Sequence, residues 1–261
     1  MIGYLRLELM RGLRDPRYLV LALVAPVGFY LLFTNLFGAA QGAGANGLPA
    51  PVGAMVSMAM FGAMWAVLSA TSPRIAQERS IGWLRQLRLL PVRAQSVLTA
   101  RLIAAVVLAG PALVLVFITA VIDHGVTLDA WRWVVLLALL WLGAAPIALL
   151  GIALGYATDA DSAFTITYGL NLVLAALGGL WMPISVLPTG LQTIGKLLPS
   201  YQAANLGWHI VGGQAVELSN VLALVAWAAV LSLLALFFAG RVAREGQYRF
   251  GGIEEVDRTR A

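Results

Sequence analysis

The segment from Glu78 to Leu102 reads ERSIGWLRQLRLLPVRAQSVLTARL, an arginine-rich and mildly amphipathic stretch between two long apolar segments. Six of the seventeen basic residues of the chain fall in the window 74–101. Basic residues near the ends of membrane spans resist translocation, so this window belongs on the cytoplasmic side if its flanks cross a membrane. The segment therefore fixes the orientation that we predict for the rest of the chain.

The composition indicates that the flanks do cross a membrane. Hydrophobic residues make up 61% of the 261 residues, charged residues 11%, and the mean hydropathy is +0.87, whereas soluble domains carry about 25% charged residues. A helical span needs about 20 mostly apolar residues. Six windows qualify: about 18–38, 52–73, 102–122, 133–156, 163–182 and 219–240. The sequence predicts an all-α polytopic membrane protein with six transmembrane helices, built as a single transmembrane domain over residues 1–240.

The distribution of charge predicts where the termini lie. Fifteen of the seventeen Lys and Arg residues fall before the first window, between the second and third, or in the tail 241–261. Only Arg132 and Lys196 fall on the other predicted face. We therefore expect a multi-pass protein of the cell membrane with both termini, including this tail, in the cytoplasm. The net charge of +5 follows from this topology and suits anionic membrane lipids, so no nucleic-acid partner is expected.

Two further segments are predicted to lie along the membrane. Before Asp15-Pro16, apolar residues recur on one helical face, which is typical of an interfacial elbow helix. After the fifth window, prolines interrupt an apolar stretch, and we predict short external re-entrant helices over about 183–205, between spans five and six. The residues that mark this region are Pro183, Pro188, Pro199 and Tyr201. A purely structural cap is the alternative.

Motifs for catalysis are missing from the sequence. The chain has no G-x-x-x-x-G-K-[ST] for nucleotide phosphates, no H-E-x-x-H and no cysteine, so we expect no enzyme activity and no cofactor or metal bound by this chain. Asp159 and Asp161 form a D-x-D between the fourth and fifth windows. One hypothesis makes this pair the metal site of an intramembrane lipid-modifying enzyme. The other makes it a solvated turn in which Ser162 caps span five.

The predicted spans contain polar residues but no charged ones. These polar groups need partners away from lipid, either as hydrogen bonds between helices or as the lining of a substrate path. The candidates for the substrate path are Asn35, Ser57, Thr167, Tyr168, Asn171 and Trp181. Span four also contains Pro146, which should kink the helix, and a Gly151-x-x-x-Gly155 motif that permits close helix packing.

Three motifs resemble those of a known family. The pattern E-R-S-x-G-W-L-R-Q-L-R-L-L-P at 78–91, the proline-bounded segment 183–188 and L-P-S-Y at 198–201 occur in the order found in the permease subunits of ABC-2 type exporters. That family includes daunorubicin-type drug efflux permeases. The resemblance covers nearly the whole chain.

The resemblance implies how the chain works. Residues 78–91 would be a cytoplasmic coupling helix that docks into a separate ABC ATPase subunit, which binds ATP and Mg. A helix that only grips lipid is the rival interpretation. The residues assigned to ATPase coupling are Glu78, Gly82, Trp83, Leu84, Arg85, Leu87, Arg88 and Pro91.

The family pattern also implies a partner and a cargo. Such permeases work as pairs, so a second copy or a similar permease would complete the pathway. The cargo would be a hydrophobic or amphiphilic compound, such as a drug, an antibiotic or a lipid-like molecule. A structural or sensory membrane subunit that transports nothing is a further hypothesis.

Overall fold

The regular structure is helical throughout the part of the chain that the computed structural model describes, which comprises residues 6, 9–12, 14–16, 19–37, 47–82 and 94–258. The helices follow one another along the chain. A π-helical segment, Leu19–Val24, precedes α1 (Ala25–Phe37), α2 (Ala50–Ser80), α3 (Ala94–His124), α4 (Ala130–Gly143), α5 (Ala145–Ala157) and α6 (Ala160–Leu177). A 3-10 turn, Ile184–Val186, then precedes α7 (Thr189–Leu197), α8 (Pro199–Val211) and α9 (Leu218–Arg258).

Five helical stretches of the described chain are long and apolar enough to cross a membrane. They are Ala50–Ser80, Val97–His124, Ala130–Ala157, Ala160–Leu177 and Leu218–Val242. The apolar helix at the first predicted window, Val20–Asn35, is shorter. In the described residues, the prediction of an all-helical protein with several helices long and apolar enough to span a membrane is confirmed, and the six-span arrangement remains a prediction.

Helix α2 is the centre of the bundle. In its most apolar stretch 83% of the residues are buried, against 11% in α9, because α1, α3, α5 and α6 all pack around α2. Its side chains are buried on all sides, as expected for a helix without a solvent-facing or lipid-facing stripe. Helix α9 contacts mainly α5 and α8, and its remaining surface is apolar and exposed.

The glycine pair of the fourth window brings α5 close to α2. A Cβ atom at Gly155 would lie 2.7 Å from the carbonyl oxygen of Ser72 and 2.7 Å from Cβ of Ile75. A Cβ at Gly151 would collide with Oγ1 of Thr71. The two helices can pack at this distance only because both positions lack a side chain.

The predicted fourth span is divided into two helices. Helix α4 ends at Gly143 and α5 begins at Ala145, with Pro146 in its first turn. Proline has no backbone N–H, so the carbonyl oxygen of Leu142 loses its helical partner at this point. The interruption expected at Pro146 therefore lies at Ala144, two residues earlier.

Other boundaries also differ from the predicted windows. Helix α6 ends at Leu177, before the predicted limit at 182, because the chain turns at Gly178 and Gly179, where Gly179 has a φ of +71°. Helix α9 continues to Arg258, so most of the predicted tail 241–261 is helical. Of the predicted elbow, residues 9–12 are helical.

Candidate functional site

Charged side chains converge at one end of the bundle, which we call the arginine-rich end. It consists of residues 9–12 and 14–16, the last turns of α2, the first turns of α3 and the connection between α5 and α6. Glu78 of α2 forms salt bridges with Arg101 of α3 and, at 3.9 Å, with Arg11. The side chains of Glu78 and Arg101 are only 13% and 5% exposed. A largely buried ion pair is costly to separate, so this pair holds the end of α2 against α3.

A second ion pair joins the residues before α1 to the same end of α2. Arg74 lies 3.7 Å from the carboxylate of Asp15. Asp15 precedes Pro16, where the chain turns toward the first apolar helix. Residues 11 and 15 are therefore both attached to the last two turns of α2.

Arg79 attaches α2 to the end of α5. Its Nη1 donates hydrogen bonds to the carbonyl oxygens of Gly155 at 3.1 Å, Tyr156 at 2.6 Å and Thr158 at 3.0 Å. The last carbonyls of a helix have no partner within the helix and carry partial negative charge. One guanidinium thus caps α5 and holds the connection to α6 against α2.

Helix α2 ends immediately after these contacts. Glu78 belongs to its last turn, and the chain turns at Ile81 and Gly82, where Gly82 has a φ of +75°. Residues 78–80 of the predicted coupling helix therefore continue α2. The remaining predicted coupling residues, Trp83, Leu84, Arg85, Leu87, Arg88 and Pro91, lie outside the described residues.

One member of the acidic pair at this end, Asp159, caps a helix, and the other, Asp161, lies in the first turn of that helix. The carboxylate of Asp159 accepts a hydrogen bond from the backbone N–H of Ser162 at 2.9 Å, so Asp159 and not Ser162 is the N-cap of α6. This hydrogen bond lowers the pKa of the Asp159 carboxyl below its usual value. Within the described ranges, no group of three His, Cys, Asp or Glu residues could hold a metal ion.

Two of the predicted path residues lie together on the buried face of α6. Thr167 donates a hydrogen bond to Oγ of Ser72 on α2 at 2.9 Å, and both groups are buried. Asn171 lies one turn farther along α6 and is 1% exposed, and neither polar atom of its amide has a hydrogen-bond partner. Such a group loses its bonds to water without replacement.

The aromatic path residues contact other rings. Tyr168 is 42% exposed and packs edge-on against Trp65, with centroids 5.5 Å apart. Trp181 packs against Phe29 and Phe61. The indole N–H groups of Trp65 and Trp181 are both buried without a partner.

The remaining two path residues are separate from that face. Ser57 donates back to the carbonyl oxygen of Gly53 within α2 at 3.0 Å. Asn35 is exposed and donates to the carbonyl oxygen of Leu31 and, at 3.4 Å, to Asp123. Ser57 bonds only within its own helix, whereas Asn35 bonds both within α1 and to α3.

The end of the bundle that carries residues 178–217 is the opposite end. Its prolines begin helices: Pro183 precedes the 3-10 turn, Pro188 precedes α7, and Pro199 is the first residue of α8. Fixed φ suits proline to a first helical position. Helix α8 is largely buried, packing on α4 and α2, and Tyr201 contacts Trp208 with centroids 5.9 Å apart.

Sequence reasoning did not identify the residues that connect the helices at the arginine-rich end. It counted Arg74, Arg79 and Arg101 only as topological charge, it treated Asp15 only as part of the elbow, and it did not consider Ser72. A helical stripe of polar residues along α8 was visible in the sequence and could have been found from its spacing.

A bundle of long apolar helices with charged groups gathered at one end is typical of an integral membrane protein. The profile of the ABC-2 type transporter family matches residues 4–211, and the chain belongs to this family. It is also similar to the Bacillus subtilis (strain 168) protein named "Putative transport permease YvfS", with 30% identity over 236 residues that cover 88% of this chain and 93% of that protein.

Proposed function

We propose that the chain is the membrane-spanning permease subunit of an ATP-driven exporter that moves a hydrophobic or amphiphilic compound out of the cell. Membership of the ABC-2 type transporter family and similarity to a protein named as a transport permease support a permease. The basic residues at one end support a cytoplasmic location for that end and for both termini, in the cell membrane. Hydrolysis of ATP, with its Mg, belongs to a separate ABC ATPase subunit.

One observation is central to this proposal. The end of α2 is attached to the residues before α1, to α3 and to the connection between α5 and α6. Residues 83–93 follow in the chain after the turn at Ile81 and Gly82. Shortly before this turn, Glu78 and Arg79 contact α3 and the end of α5. A force on that segment would pass through Gly82 into α2, and through the two charged residues into α3 and the α5–α6 connection. This arrangement suits a segment that an ATPase pushes during its cycle.

The proposal also includes six membrane spans, the N-terminal elbow helix and the external re-entrant helices. A second permease would complete the pathway. The apolar surface of α9 and the other exposed helices is available to lipid or to the second permease. Asn171, unpaired and buried beside α2, is the strongest candidate for a path residue among the six.

Co-purification with the ATPase tests the proposal directly. We expect Leu87→Asp to abolish co-purification with the ATPase subunit and ATP-driven export, because a charge would enter the apolar docking face. Leu87→Met, which keeps size and apolarity, is the matched control and should retain both. Unchanged co-purification of the Leu87→Asp protein would show that the ATPase docks elsewhere or not at all.

A further inference from the structure

The opposite end of the bundle contains a polar cavity of about 390 Å³ between α7, α8 and the start of α9. Ligand pockets in proteins commonly have volumes of about 300–1,000 Å³. One helical stripe of α8 lines the cavity, and its members include Tyr201, Gln202, Trp208 and His209. The other face of α8 packs into the bundle, where Gly207 approaches Val56. Helix α8 is thus apolar toward the protein and polar toward the cavity.

Three buried polar atoms in the lining have no hydrogen-bond partner. They are Oε1 of Gln202, Nδ1 of His209 and Nδ2 of Asn220. Asn220 is 5% exposed and comes from α9, so the unpaired atoms belong to two different helices. Buried polar groups in proteins are nearly always paired, and a group of three in one cavity indicates a bound polar partner.

The hydrogen-bonding character of these atoms limits the ligand. Nε2 of Gln202 donates to the carbonyl oxygen of Lys196 at 2.6 Å, which leaves Oε1 as an acceptor. Nδ2 of Asn220 can only donate, and a histidine nitrogen does either according to its tautomer. A hydroxyl group both donates and accepts, so a ligand with several hydroxyls can satisfy all three atoms.

The charged and aromatic side chains that line the cavity further restrict the chemical class of the ligand. Lys196 and Glu217 both line the cavity and carry opposite charges, which gives no net attraction for a charged ligand. The rings of Tyr201 and Trp208 provide an apolar wall beside the amides. Apolar walls with a few placed polar groups are typical of small-molecule sites.

We propose that this cavity binds an uncharged polyhydroxylated ligand, as presented by a sugar or by the sugar headgroup of a glycolipid. The proposal goes beyond the export function and does not depend on it, because it rests on the cavity and its unpaired atoms.

Binding can be measured on the full chain in phosphatidylcholine nanodiscs. Methyl β-glucoside is titrated in one arm, and in the other the nanodiscs contain monoglucosyl diacylglycerol. We expect saturable binding and a higher melting temperature in at least one arm. Binding of the free glycoside identifies a soluble source, and binding of the glycolipid alone identifies the membrane.

Matched variants connect the binding to the cavity. Gln202→Leu and Asn220→Leu should each weaken binding at least about tenfold, because each removes one hydrogen-bonding group. Gln77→Leu makes the same chemical change at an exposed site in the arginine-rich end and should leave binding unchanged. Asn220→Asp keeps the shape of the side chain but removes the donor, so it replaces Asn220→Leu if that variant does not fold.

Two results would overturn the proposal. They are no saturable binding in either arm and binding that neither cavity variant weakens. The first would mean that water fills the cavity, and the second that the ligand binds elsewhere.

Discussion

Nη1 of Arg79, in the last turn of α2, lies 2.6 Å from the carbonyl oxygen of Tyr156 at the end of α5. The two residues are 77 positions apart in the chain, and this hydrogen bond joins the central helix to the connection that begins α6. The same nitrogen also contacts the carbonyl oxygens of Gly155 and Thr158. The end of α2 therefore cannot move without the end of α5.

Replacement of Arg79 tests this connection. We expect Arg79→Met to lower the free energy of unfolding by about 1–3 kcal/mol, because three helix-terminal carbonyls lose a charged donor. It should also reduce export per ATP hydrolysed. Thermal unfolding in detergent and transport in proteoliposomes measure the two effects, and Arg14→Met, at an exposed arginine, is the control. A variant that unfolds and transports like the wild type would contradict the connection.

The ion pair of Glu78 and Arg101 should give a strongly non-additive mutant cycle. Glu78→Gln or Arg101→Met alone should destabilise the protein by about 3–5 kcal/mol, because each removes the nearest opposite charge from a largely buried charged group. The double variant should be more stable than the sum of the two losses predicts. Chemical or thermal unfolding of the four proteins measures the interaction, and additive losses would show that the charges act independently.

Close packing of α5 on α2 depends on Gly155. Gly155→Ala should destabilise the protein by about 1–3 kcal/mol, because the new methyl group meets the backbone of Ser72 and must displace it. At Gly169 on α6 a Cβ would meet nothing within 4 Å. Gly169→Ala should therefore be neutral or stabilising, by up to about 1 kcal/mol. Equal effects of the two substitutions would show that the close approach of α5 to α2 at Gly155 does not limit stability.

The cap of α6 predicts a pH dependence of stability. The pKa of Asp159 is lower in the folded protein, so its contribution is present above the unfolded value of about 3.9 and is lost as the pH falls through the folded value. Asn caps helices without titrating. Melting temperatures of wild type and Asp159→Asn should therefore diverge above about pH 4 and converge below it. Curves that stay parallel through this range would mean that the carboxylate does not stabilise α6.

Replacement of Asn171, whose buried amide is unpaired, tests whether this residue contacts cargo or only packs between helices. Asn171→Leu should raise the melting temperature, because a buried unpaired amide costs about 1–3 kcal/mol. If Asn171 contacts cargo, export should fall in spite of the gain in stability. Thr167→Val, which breaks a formed hydrogen bond to Ser72, should instead lower stability. Faster or unchanged export by the stabilised protein would assign Asn171 to packing alone.

The helices were predictable because their signal is local. A run of about 20 apolar residues can be identified from composition alone, and five of the six windows coincide with helices long enough to span a membrane. Exact ends were less predictable: Gly178 and Gly179 stop α6 by backbone conformation, which hydropathy does not report.

The contacts of the arginine-rich end were not predictable for a different reason. Arg79 binds backbone carbonyls, which every residue has, so no side-chain pattern marks its partners. Glu78 and Arg101 meet only because α2 and α3 pack side by side. At the cap of α6, Asp159 and Ser162 are both suitable residue types, and the backbone decides between them.

Because of the discontinuity at Ala144, the two halves of one predicted span pack against different helices. Its first half, α4, packs with α8, whereas its second half, α5, packs with α2 and α9. A tilt of α4, the half nearer the cavity, therefore need not move α5, whose end is bound by Arg79. We therefore expect a displacement of α5 to be transmitted only in part to α4, so that the two ends of this crossing can move separately.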